Sequence, residues 1–197
     1  SDTLIFGIGN FTTKLIYFFL MPIYTLTLTA EEFGIVDLLN NSLYLVMPIF
    51  TLSVSDAVFR FALDENCNYQ VLLCNGLRVL ASSFVVLLVL ILIIYFFYSY
   101  DYWWFFLFFY VSESLKVLFA QFTRGLGKVK EFAINGILSA IFLLGITYLL
   151  LSVFELGING YLIAFIISNI VSIIYLLYKV NIRSYVDFSL YDNVSFF

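Results

Sequence analysis

Three stretches of an otherwise apolar chain carry ionisable side chains where hydrocarbon is expected. Lys14 stands inside the run 4–27, Asp37 near the start of the run 35–59, and Glu113 and Lys116 lie three apart inside the run 102–123. A charge at the centre of a membrane helix costs roughly 2.5–3.5 kcal/mol on insertion scales and is tolerated mainly where it faces protein or water. Each belongs to a polar stripe. At helical spacing, Gly7, Asn10, Lys14, Tyr17, Met21 and Thr25 fall within a sector of about 80°. Asp37, Asn41, Tyr44, Pro48, Thr51 and Ser55 share a second sector, and Glu113, Lys116 and Arg124 a third. Lys14 is about 15 Å from the nearer helix end, too deep to snorkel easily. Pro48 is expected to kink or open its helix near mid-depth and to free carbonyls that must meet protein or water.

Such stripes have two readings. One is a wet cavity lined by charge, which suits Lys14 and the Glu113/Lys116 pair, since residues three apart on a helix are able to pair. The other is polar glue between helices, worth about 0.6 kcal/mol per contact, which suits the Asn and Thr residues equally well. Asp56 and Arg60, four apart at a helix end, read as an interfacial ion pair, and Arg78 as a snorkelling side chain.

The elements that must position these groups follow from composition. Hydrophobic residues make up 63% of the 197 and charged residues 11%, against about 45–50% and about 25% in soluble domains. Too few polar side chains exist to cover a water-soluble exterior, so lipid is the solvent. A span needs about 20 apolar residues, and six such runs appear: 4–27, 35–59, 71–98, 102–123, 132–154 and 157–179. The expected fold is an all-α, polytopic membrane bundle of about six transmembrane helices over residues 1–180, with 181–197 as a cytoplasmic connector.

Connectors after the second, fourth and sixth runs hold Arg60, then Arg124, Lys128 and Lys130, then Lys179 and Arg183; those around Glu31, Asp101 and Glu155 hold no Lys or Arg. The positive-inside bias therefore puts both ends in the cytoplasm, in a cytoplasmic (inner or plasma) membrane. Tyr100, Tyr102, Trp103 and Trp104 form an aromatic belt at an outer connector. Cys67 and Cys74 then lie on the reducing side, as small packing residues. The chain opens on Ser and stops at YDNVSFF, which gives the expectation of a fragment or truncated product. Its first apolar run is too long for a signal peptide and lacks a basic start.

Several classes are excluded. Twenty-two charges, nine of them basic, offer no nucleic-acid surface. There is no His and no Cys cluster, so neither a metal nor a cofactor is indicated. GLGK at 125–128 lacks phosphate-loop spacing and no nucleophile motif occurs, so no enzyme is expected.

Three stretches resemble the polysaccharide-biosynthesis transporters of the MOP superfamily, the oligosaccharide flippases that include O-antigen exporters: GNFTTKLIYFFLMPIYTLTLTAEEFGIVDLLN at 9–40, SVSDAVFRF at 53–61 and QFTRGLGKVKEFAINGIL at 121–138. Their order is similar to the family's amino-terminal half. The resemblance implies one six-helix lobe whose carboxy-terminal partner lobe is missing, and a central cavity with alternating access. It also implies membrane lipids, a polysaccharide polymerase and glycosyltransferases as neighbours. The family's LYTRYL pattern here reads IYTLTL, with Leu26 in place of a basic residue. The implied substrate is a lipid-linked oligosaccharide. Lys14, Lys116 and Arg124 would neutralise its diphosphate, and Asn10, Asn41 and Thr25 would bond its hydroxyls. Tyr17 and Tyr44 would stack on sugars, with Asp37 or Glu113 coupling an ion. The rivals are a multidrug and toxin extrusion-type cation antiporter and a non-transporting membrane scaffold.

Overall fold

The structure, a computed structural model, describes residues 2–64, 66–98 and 102–186. The side chains of Asn10 and Tyr17 lie outside the described part, as do Tyr100, Asp101 and most of the 181–197 connector. The described residues are helical with no strand, as expected. The α-helices are α1 (Asp2–Thr27), α2 (Ala30–Thr51), α3 (Val54–Phe61), α4 (Tyr69–Phe97), α5 (Trp103–Gly125), α6 (Val129–Tyr148) and α7 (Gly157–Lys179). A π-helical turn, Leu149–Val153, extends α6, and a 3-10 turn covers Ile182–Tyr185.

Local chemistry sets the helix starts. Thr29 and Glu32 cap α2 reciprocally: the Glu32 amide donates to Thr29 Oγ1 at 3.2 Å and the Thr29 amide to Glu32 Oε2 at 2.9 Å. Asn68 Oδ1 accepts the Gln70 and Val71 amides at the start of α4.

Among the described residues, five helices are long and apolar enough to cross a membrane: α2, α4, α5, α6 with its π turn, and α7. α1 is 26 residues long, and its described stretch Lys14–Thr27 is apolar as well. Apolar side chains cover the exterior as well as filling the core, and polar ones are buried. The outward face of α4 shows Val85, Val86, Val89, Leu92, Ile93 and Phe96, whereas Ser112, Glu113, Asn135, Ser139, Ser168, Asn169 and Ser172 are buried. In water that arrangement is backwards; in hydrocarbon it is required, because buried polar groups find partners and apolar ones need none. The chain is therefore a membrane-embedded helical protein. α5 and α7 are the most enclosed spans, with α1 laid along α6, and α3 and α4 against α5. One apolar core gathers Leu20, Leu43, Phe109, Leu143, Leu162 and Phe165; the other, at the opposite end, gathers Val58, Leu73, Leu118, Phe122, Leu176 and Ile182.

The second run departs from the expected single helix over 35–59. It is two helices, α2 and α3, parted at Leu52 (φ 50°) and Ser53 (φ 51°). Pro48 has no amide to donate to the preceding turn, and its own carbonyl accepts both the Leu52 and Ser53 amides, which closes α2. The expected opening at Pro48 is thus a full interruption one turn later.

Candidate functional site

Glu113 and Lys116 lie near the middle of α5, about 15 Å from either end of the helix. They form an ion pair, Lys116 Nζ to Glu113 Oε2, at 2.7 Å. Lys116 also donates to Asn169 Oδ1 on α7 at 3.0 Å, and Asn169 Nδ2 donates to Ser112 Oγ at 3.2 Å. The ammonium lies 6.0 Å from the centre of the Phe165 ring. The side chains are only 15% and 6% exposed, so each charge is matched by the other and by neutral dipoles, as burial demands.

Glu113 also faces a cavity of about 250 Å³ at the α2–α3 interruption, where it meets Tyr44, Pro48, Thr51, Ser55 and Asp56. The second and third stripes therefore converge. Among the described residues none of α1 lines this cavity; α1 is laid along α6, and Lys14 is exposed on it.

Other expectations are revised by neighbours that one helix's periodicity cannot reveal. Thr25 is exposed and its hydroxyl donates within its own helix, to the Met21 and Pro22 carbonyls. Asp37 accepts from Asn41 Nδ2 at 3.0 Å on the outer face of α2. Arg124, in the last turn of α5, stacks its guanidinium over Phe59 at 4.3 Å and lies 5.9 Å from Phe132. Arg78 Nη1 donates to Asn75 Oδ1 at 3.0 Å. The Asp56–Arg60 pair does not form. Asp56 sits in the first turn of α3, where the helix dipole favours a carboxylate, and takes Gln121 Nε2 of α5 at 3.2 Å, while Arg60 is exposed in the last turn.

Sequence reasoning missed the neutral polar groups that join the helices. Ser168 and Ser139 pair at 3.1 Å and Ser172 donates to Asn135 at 2.8 Å, both between α7 and α6. Asn40 donates to the Tyr161 hydroxyl at 2.6 Å between α2 and α7, and Tyr110 to Ser83 at 3.0 Å between α5 and α4. Ser168 and Ser172, like Asn135 and Ser139, are four apart, a spacing that placed each pair on one face.

Outside the spans, burial and then the Asp64 carboxylate push the Cys67 thiol up from its ordinary range. No protein-family model matches the chain, and no characterised protein or solved structure shows significant similarity to it.

Proposed function

We propose that the chain is one helical lobe of an alternating-access transporter that moves the headgroup of a lipid-linked oligosaccharide across the cytoplasmic membrane, both of its ends cytoplasmic. The observation that carries this reading is the outer face of α2. Asp37, Asn41 and Tyr44 are exposed there and lead to the cavity floored by Glu113. A carboxylate and an amide do not rest against acyl chains without loss, so this face asks for water or for a second lobe enclosing water. The hydrogen bond that ties α2 to α7 is made by Asn40, whereas Asp37 and Asn41 bond only each other on the exposed face, so gluing helices together does not account for them. Lys14, exposed and without an ion pair among the described residues, is one cation that would meet a diphosphate, whereas Lys116 is already matched by Glu113.

A cation antiporter is the second reading. Among the described residues the cavity lining holds Asp56, Glu113 and Tyr44 and neither Lys nor Arg, a chemistry suited to a positive guest. Proteoliposomes containing the full chain separate the two. With a headgroup-labelled polyprenyl diphosphate sugar, Lys14→Ala should slow translocation at least tenfold while the protein stays inserted. An unchanged rate refutes the flippase, and pH-gradient-driven efflux of ethidium by the intact protein favours the antiporter.

A further inference from the structure

The cavity at the α2–α3 interruption contains oxygen atoms that the bundle leaves unused. Ser55 is 5% exposed, lines the cavity, and its buried Oγ has no hydrogen-bond partner. An idle buried hydroxyl forgoes a bond worth about 1 kcal/mol or more, so such an atom points to a guest. Gln121 is in the same condition on one side: its nitrogen donates to Asp56 Oδ1 and its buried Oε1 has no partner. Thr51 donates its hydroxyl proton to the Met47 carbonyl, which keeps its oxygen lone pairs available. Glu113 spends Oε2 on Lys116, and Asp56 spends Oδ1 on Gln121.

Charge decides what the guest is. The carboxylates of Asp56 and Glu113 and the ammonium of Lys116 sum to one negative charge. The carboxyl end of α2 and the amino end of α3 meet at the same place, so their partial charges offset and the carboxylates set the sign. Every group offered is a hard oxygen donor, suited to alkali and alkaline-earth cations and not to softer metals. A single negative charge matches a monovalent ion. Broken helices in membranes use unwound backbone and nearby oxygens in this way.

We propose that Ser55, Asp56 and Glu113, with Thr51 beside them, form a binding site for one sodium ion at the interruption between α2 and α3. Binding there does not require the chain to transport anything, so the site stands or falls apart from the flippase reading.

The test is the thermal stability of the full chain in detergent, in sodium chloride and in choline chloride at equal ionic strength, together with equilibrium binding of radioactive sodium. A saturable rise in Tm of about 3–6 °C at tenfold saturation is expected with sodium and not with choline, with about one ion bound per chain. Ser55→Ala and Asp56→Asn each leave the Glu113–Lys116 pair intact and should weaken sodium binding at least tenfold. Equal Tm in the two salts, or an undiminished sodium response in both variants, overturns the site and leaves water as the occupant.

Discussion

The Glu113–Lys116 pair makes each partner's presence conditional on the other. With the pair matched, the core of α5 tolerates both charges; with one removed, the survivor is an unmatched ion among Phe165, Asn169 and Ser112. Lys116→Met should therefore lower stability by about 3–5 kcal/mol. Adding Glu113→Leu in the same chain should recover most of that loss, and denaturant unfolding in detergent reads both. If the double variant is no more stable than the single, the charge match is not what holds α5 to α7. This pairing was legible in the sequence because it is local: three residues on one helix fix it. Asn169 was not, since nothing on α5 says which face of α7 will arrive opposite. The same limit explains Asp56, whose neighbour four residues on was the visible partner, while Gln121, on another helix, was the actual one.

At the scale of elements, the α2–α3 interruption depends on two successive left-handed residues, neither of them glycine. A side chain in that region costs roughly 1–2 kcal/mol, and Leu52 is 80% exposed, so little packing repays it. Leu52→Gly should raise stability by about 1 kcal/mol without moving either helix, seen as a higher unfolding midpoint; a lower midpoint would mean that Leu52 is held by contacts outside this chain. Pro48 showed where the helix would open but not how completely, because a proline is compatible with a bend as well as with a stop. Gly125 shows the opposite case. A Cβ there would come within 2.5 Å of Ala62 Cβ, so the GLGK stretch that falls short of a phosphate loop owes its first glycine to the close approach of α3 and α5.

For the molecule as a whole, the apolar runs and their lengths were enough to predict an all-α membrane bundle, because hydrocarbon thickness and backbone satisfaction leave no other solution. The position of Lys14 was not readable. Spacing along α1 gives only the face that Lys14 shares with Met21 and Thr25; that α1 packs on α6 is not written in that spacing. The distribution of Lys and Arg gives an expected orientation that thiol labelling can check. Cys67, partly exposed between α3 and α4, should react with a membrane-impermeant maleimide in inside-out vesicles and not in intact cells. A cysteine placed at Glu155, with Cys67 replaced by Ser, should do the reverse. Because the Cys67 pKa is raised, less thiolate is present at neutral pH and its labelling rate should keep climbing beyond the usual midpoint of about 8.5. Labelling of Cys67 in intact cells would invert the topology.

The start of α7 adds a mechanical consequence. Gly157, at φ 54°, leaves room for Glu32, whose Oε1 lies where a Cβ would reach within 2.5 Å, while Oε2 of the same carboxylate caps α2. One side chain thus serves the starts of two spans, capping α2 and filling the space that Gly157 leaves beside α7. Any side chain at position 157 would therefore displace the carboxylate that caps α2, so one substitution at the start of α7 disturbs two helix starts at once.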